Sequence, residues 1–231
     1  MPTITDRINN VRQLIADTCT KNHVPLSKLT LLAVSKTHPT SAIQAAYDTG
    51  LTEFGESYLQ EALNKITQLN HLDITWHFIG PIQSNKTRLI SENFQWVQSV
   101  DRAKILTRLN EQRPNELPPL NVCIQINYFN EAQKKGALKN EILPLLELAE
   151  ELPNIVLRGI MAIPPKVSSF EEQLSQYQQI ESCFKQYQKS FKQMDTLSIG
   201  MSNDLEAAIA SGTTMIRIGT ALFGTRRKIE S

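Results

Sequence analysis

This chain of 231 residues has no excess of either charge, no membrane-length apolar run, no cysteine pattern and no glycine-rich dinucleotide loop. Lysine and arginine total 24 against 23 aspartates and glutamates, so no global field holds it on nucleic acid or on an anionic membrane. Its partner is expected to be a small molecule or another protein. Met1 to Val11 carries Asp6 and Arg7 without an apolar core, and no later run approaches the roughly 18 apolar residues of a membrane span. The expectation is a cytoplasmic protein, neither exported nor inserted. Cys19, Cys123 and Cys183 are odd in number, far apart and without metal-ligand spacing, so they read as reduced structural thiols rather than a disulfide framework or a zinc site. No Gly-x-Gly-x-x-Gly follows the first β-rich run, which argues against an open doubly wound sheet.

What is there is an alternation. Short β-rich runs recur, each followed by a segment with helical apolar spacing, the signature of a parallel α/β architecture. Eight runs can be placed: Leu31 to Lys36, Glu53 to Glu56, Thr75 to Gly80, Trp96 to Val100, Asn121 to Asn127, Leu157 to Ile163, Thr196 to Met201 and Met215 to Gly219. Eight strands close a (β/α)8 barrel, and a chain of this size with 41 % hydrophobic residues can bury one core, so residues 1–231 read as a single domain. Steps of three, four and seven among Phe170, Leu174, Tyr177, Ile180, Phe184, Phe191 and Met194 predict a helix over Phe170 to Met194. Asn140 is the predicted N-cap of a helix over Glu141 to Glu151, which puts Pro144 near the first turn, and Thr3 to Asn22 reads as an extra leading helix.

In such barrels the site lies at the C-terminal ends of the strands, with phosphate often held after strands seven and eight. The first run ends in Ser35-Lys36-Thr37, and alternation puts Lys36 on the face of Leu32 and Val34. If that face is inward, the amine sits in the mouth, where partial desolvation favours the neutral form that attacks an aldehyde; the plain alternative is a solvated lysine at a strand end. Strand seven runs into Ser198-Ile199-Gly200-Met201-Ser202-Asn203-Asp204, whose small donors suit a phosphate, although a capping box from Asn203 to Glu206 explains the same residues. Strand eight gives Arg217-Ile218-Gly219-Thr220, a strand entering a turn whose N–H groups can form an anion nest. Arg217 on an inner face needs a partner, either a carboxylate or a cofactor ring nitrogen. His77, a lone strand histidine with no Ser or Cys elbow, reads as a hydrogen-bonded structural residue, and Lys86 and Arg88 as a solvated helix face.

Taken in order, Leu32-Ala33-Val34-Ser35-Lys36, Phe54-Gly55-Glu56, Trp76-His77-Phe78-Ile79-Gly80 with Gln83 and Asn85-Lys86, Arg158-Gly159-Ile160-Met161-Ala162-Ile163, Leu197-Ser198-Ile199-Gly200-Met201-Ser202 and Arg217-Ile218-Gly219-Thr220 carry a resemblance. Over nearly its whole length the chain resembles the pyridoxal phosphate homeostasis protein family, the proline synthase co-transcribed homologues, which share the alanine racemase N-terminal barrel. The resemblance implies pyridoxal 5'-phosphate held as a Schiff base on Lys36, with Arg217 facing the pyridine nitrogen. It also implies phosphate held by Ser202, Gly219 and Thr220, with Met201 lining the ring. Two departures stand out. The family's Phe-Gly-Glu-Asn-Tyr is here Phe54-Gly55-Glu56-Ser57-Tyr58, so any polar contact of the asparagine is lost or bridged by water; and the loop Tyr128 to Gly136 keeps only Glu131, Lys134 and Gly136 of the family pattern.

The family implies a carrier or regulator of the cofactor in vitamin B6 homeostasis, with PLP-dependent apoenzymes as further partners. The competing reading is an amino-acid racemase or related enzyme using the same lysine, and a third is a sugar-phosphate or nucleotide barrel that uses the phosphate cup alone. The chain ends at Ser231, seven residues after Gly224, so the additional domain that supplies the second base of alanine racemase is not expected. An arginine beside the ring nitrogen also disfavours the protonated pyridine that makes a strong electron sink. Both expectations favour the carrier.

Overall fold

The computed structural model describes residues 2–225. Chain order is α1 (Ile4–Lys21), β1 (Thr30–Val34), α2 (Thr40–Tyr47), β2 (Glu53–Glu56), α3 (Leu59–Gln68), β3 (Thr75–Phe78), α4 (Thr87–Asn93), β4 (Trp96–Val100), α5 (Ala103–Glu111), β5 (Leu120–Ile126), α6 (Lys139–Glu151), β6 (Ile155–Ala162), α7 (Phe170–Gln188), β7 (Thr196–Ser198), α8 (Leu205–Ala210), β8 (Met215–Ile218) and α9 (Thr220–Phe223). The strands pair in parallel in sequence order, and β8 closes on β1 with Leu32 opposite Arg217 and Ala33 opposite Ile218. Every strand predicted from the sequence is present. No helix among the described residues is long and apolar enough to cross a membrane.

Period-2 alternation sorts the strand residues into two environments. Ala33, Phe54, Val97, Ile124, Ile160, Leu197, Ile216 and Ile218 join helix residues such as Ile8, Ile43, Leu106, Leu146 and Ile180 in one apolar layer around the barrel. The alternate positions face the barrel interior, and much of that set is polar: Glu53, His77, Gln98, Ser198 and Arg217. The N-terminal end of the barrel is closed by Trp96, sandwiched between the His77 ring (centroids 5.1 Å apart) and the Arg158 guanidinium (4.6 Å from the ring centre). Arg158 is in turn held by Asp195 and by Asn121 at 2.9 Å.

α1 is the predicted leading helix. Thr3 caps it, its hydroxyl accepting from the Asp6 N–H (3.1 Å) while its own N–H donates to the Asp6 carboxylate (2.8 Å). Arg7 then reaches across to donate to the carbonyls of Leu222 and Phe223, so the leading helix braces α9 from below. Two helix boundaries differ from expectation. α6 is capped at Leu138, whose N–H donates to Glu141, so Asn140 already lies inside the helix. α7 stops at Gln188, although Phe191 and Met194 stay buried: their apolar spacing continues because the following turn packs under the barrel, not because the helix does.

Candidate functional site

β1 leaves the barrel at Val34, and the next residues are pinned from the outside. Ser35 Oγ donates to Glu56 Oε1 (2.6 Å), and Lys65 Nζ donates to the Ser35 carbonyl (2.9 Å), to Glu56 Oε1 (2.8 Å) and to Glu61 Oε1 (2.5 Å). The Thr37 N–H donates to the same Glu61 oxygen (2.6 Å), and Thr37 itself takes the left-handed φ of 67°. Lys36 is therefore the half-buried middle residue of a turn whose two neighbours are fixed, two positions beyond the inward-facing Val34. Glu56 is fully buried and Lys65 is 5 % exposed. Burial pushes the Glu56 carboxyl above its ordinary range, against the opposing pull of Lys65 and Ser35.

Sequence reasoning missed this clamp. Its signal was present in α3, where Lys65 sits in the apolar stripe with Ala62 and Leu69, three and four residues away. A lysine on the buried face of an amphipathic helix needs a carboxylate partner, and Glu56 supplies it.

The ends of β7 and β8 leave the barrel side by side, since the Arg217 N–H donates to the Gly200 carbonyl at 3.0 Å. Ser202 and Gly219, each two residues further on, consequently share one rim, with Met201 and Thr220 beside them. Gly219 approaches β1 so closely that a Cβ there would lie 3.2 Å from the Val34 carbonyl oxygen. The His38 ring stacks on Phe223 with centroids 5.0 Å apart, which joins the turn carrying Lys36 to the turn carrying Thr220. The two helix entrances differ electrostatically. α8 begins at Asp204, whose carboxylate accepts from the Met201 N–H, and Glu206 follows in its first turn, so the expected Asn203 cap is replaced by Asp204. α9 has no carboxylate in its first turn; the Leu222 and Phe223 N–H groups both donate to the Gly219 carbonyl (2.9 Å), which leaves those of Thr220 and Ala221 without an acceptor in the helix.

Arg217 is 5 % exposed, and neighbouring oxygens take the place of the expected carboxylate. Its Nη1 donates to the Ser198 carbonyl (2.6 Å) and hydroxyl (2.7 Å), and its Nη2 donates to the Ala162 carbonyl (3.0 Å). Neutral oxygens, not a carboxylate, satisfy the charge, and three of the five guanidinium N–H donors are used. Burial pulls its pKa below the ordinary value. His77 is fully buried, with Nε2 on Glu53 (2.6 Å) and Nδ1 facing the Gln98 amide (2.9 Å), the structural histidine expected from sequence. Desolvation lowers its pKa, against the opposing pull of the Glu53 carboxylate. Tyr58 is 52 % exposed on the outer rim.

The thiol of Cys123, inside the barrel, is pushed up to about 12 by burial, so it is no nucleophile. In the loop after β5, Lys134 pairs with Glu131 (2.6 Å) and donates to the carbonyls of Ile163 (3.2 Å) and Pro164 (2.7 Å), strapping that loop to the end of β6. No group of three metal-ligating side chains occurs among the described residues.

Comparison with known proteins agrees with this fold. The family model for the N-terminal domain of alanine racemase matches residues 13–227. The pyridoxal phosphate homeostasis protein of Escherichia coli K12 is 48 % identical over 229 residues, covering 98 % of each chain, and that of Vibrio alginolyticus is 52 % identical over 200 residues, 85 % of this chain and 86 % of its own. PipY of Synechococcus elongatus PCC7942, solved with PLP bound, superposes with a TM-score of 0.84 at 33 % identity, covering 96 % of this chain and all of that one. Alanine racemase from Corynebacterium glutamicum shares the fold at 16 % identity and a TM-score of 0.66, with 88 % of this chain matching 58 % of the enzyme.

Proposed function

Since the chain belongs to the pyridoxal phosphate homeostasis protein family, we propose that it binds pyridoxal 5'-phosphate through Lys36 and serves to hold and release the cofactor rather than to catalyse with it. The cofactor supplies an aldehyde that an amine can capture and a phosphate dianion. The observation that carries this reading is the convergence on one rim of three things the molecule needs for it: a lysine in a fixed turn, a helix entrance without carboxylates, and a buried arginine with donors to spare.

Each residue then has a task. Lys36 supplies the amine. Thr220, Gly219 and Ser202 hold the phosphate at the α9 entrance, where the N–H groups and the absence of acid suit an anion. The Gly219 backbone fits because no side chain stands between it and Val34. Arg217, a pure donor, faces the pyridine nitrogen as an acceptor, and Met201 lines the ring. The racemase alternative needs a second proton-transfer group on the far face of the substrate. His77 has both nitrogens engaged below the site and Tyr58 lies on the outer rim, so neither suits that task.

Two outcomes check this. Ser202→Ala with Thr220→Ala is expected to weaken cofactor retention on the order of 100-fold, the loss of two charge-assisted hydrogen bonds, while saturating cofactor still reaches Lys36. Dialysis against an apoenzyme trap, read by absorbance, measures it; equal loss of attachment at saturation would mean that these residues build the site instead. Cofactor-loaded protein in deuterated water is expected to show no enzyme-like exchange at the α-carbon of common amino acids, because a missing acid or base partner costs about 10² to 10⁴ in rate. Exchange at enzyme rates that vanishes in Lys36→Ala would establish catalysis.

A further inference from the structure

The barrel interior contains an unbroken chain of hydrogen bonds from the mouth to the floor. Arg217 Nη1 meets Ser198 Oγ (2.7 Å), Ser198 Oγ meets Gln98 Oε1 (2.7 Å), Gln98 Nε2 meets His77 Nδ1 (2.9 Å), and His77 Nε2 meets Glu53 Oε2 (2.6 Å). Gln98 and His77 are fully buried, whereas the Glu53 carboxylate is 31 % exposed and borders a groove between α1 and the N-terminal strand ends that also holds Arg12 and Leu26.

The two ends and the orientation of the Gln98 amide between them set the direction of the bonds. A guanidinium only donates, and a carboxylate only accepts. Ser198 Oγ, accepting from Arg217, turns its own proton to the Gln98 carbonyl. The Gln98 amino group must then point at His77 and at the Met215 sulfur 3.1 Å away. Receiving that N–H, His77 Nδ1 carries no proton, so the proton sits on Nε2 and is donated to Glu53. Turning the Gln98 amide over would fill both lone pairs of the Ser198 hydroxyl and remove the acceptor of its proton, and would aim the Gln98 carbonyl at His77 Nδ1, which then needs a second proton on a fully buried ring.

We propose that Gln98 is the positioning residue for Arg217: its carbonyl holds the Ser198 hydroxyl in the one orientation that leaves a lone pair for the guanidinium, and its amino group anchors that arrangement through His77 to Glu53. The consequence for cofactor electronics rests on Arg217 facing the ring nitrogen, as proposed above; the positioning itself does not.

Three variants of the full-length protein, without cofactor, test the positioning by nitrogen-15 NMR of the Arg217 guanidinium and the His77 ring, assigned through Arg217→Lys and His77→Asn. Gln98→Met keeps the volume and removes both bonds, and is expected to speed exchange of the Arg217 guanidinium protons roughly fivefold, the equivalent of one hydrogen bond. Ser198→Ala should do the same, so the test survives if Gln98→Met does not fold. Gln98→Glu retains the acceptor for Ser198 but cannot donate to His77. Slow Arg217 exchange is therefore expected to be rescued in it, while His77 becomes protonated on both nitrogens between two carboxylates. Unaltered Arg217 exchange in folded Gln98→Met or Ser198→Ala, or a proton on His77 Nδ1 in the unsubstituted protein, would overturn the proposal. Adding cofactor separates the two readings. A spectrum that shifts in Gln98→Met supports both; Arg217 signals that move while the bound-cofactor spectrum stays fixed uphold the positioning and remove Arg217 from the ring nitrogen.

Discussion

Lys65→Met is expected to cost about 3–5 kcal/mol of stability, because it leaves Glu56 buried beside Ser35 with no cation. The wild-type pair is a poor source of net stability, since removing both ions from water offsets most of their attraction, but breaking it exposes the whole penalty. The loss should depend on pH in a definite direction. Burial already raises the Glu56 carboxyl, and Lys65 is the main influence holding it down, so without Lys65 its folded-state pKa rises further. A group whose folded pKa lies above the unfolded value favours the folded state at low pH and loses that contribution as pH rises through the folded pKa. The variant should thus be closest to wild type in mild acid and fall furthest behind at alkaline pH. Urea unfolding at a series of pH values checks this; a deficit independent of pH would mean that lost packing, rather than a stranded carboxylate, is responsible. Glu56→Gln introduced into Lys65→Met should recover much of the loss.

Lys36→Ala is expected to abolish covalent attachment of the cofactor while leaving the fold intact. The side chain makes no part of the apolar layer, and the clamp from Lys65, Glu56 and Glu61 grips the backbone and hydroxyl of the neighbouring Ser35 and Thr37. The imine absorption should vanish, while the protein still unfolds in a single cooperative transition. Residual binding, through the phosphate alone, should be reversible by gel filtration. Thermal melts beside absorption spectra decide it: a large drop in stability together with lost absorption would indicate that Lys36 is a structural member of the turn.

The barrel was legible because its strands announce themselves by composition and its helices by spacing, each a local signal. The strand ends were read too long on the mouth side, β1 by two residues and β7 by three. Ser35-Lys36 and Ile199-Gly200-Met201 still look β-like in sequence, but there the chain turns toward the site: Thr37 and Gly200 take φ of 67° and 94°, and the ladder cannot continue. A parallel barrel brings strand ends together by topology, which pointed to the segments after β1, β7 and β8; the roles of Lys36, Ser202, Gly219 and Thr220 within them came from the family resemblance. What did not show was what lies between strands distant in sequence. Gln98 and Ser198, a hundred residues apart, meet only after closure, and their isolated residue types look like ordinary surface polarity; Glu56 and Lys65 are only nine residues apart, and there the local signal, a lysine on the buried face of α3, was present but unread. Arg217 shows the limit most clearly: a partner was rightly required, but two main-chain carbonyls and the Ser198 hydroxyl stand where a carboxylate was expected, and neither carbonyls nor a lone serine carry a sequence signal.

The central claim is that Lys36 is the lysine that captures the cofactor, and borohydride reduction of the cofactor-loaded protein followed by peptide mass mapping tests it most directly. Reduction turns the carbon–nitrogen link into a stable secondary amine. The result expected is one pyridoxyl phosphate adduct per chain on the peptide containing Lys36, absent from Lys36→Ala. An adduct located chiefly on Lys65, Lys134 or any other lysine of the unsubstituted protein, or a protein that binds the cofactor and yields no adduct, would contradict the account.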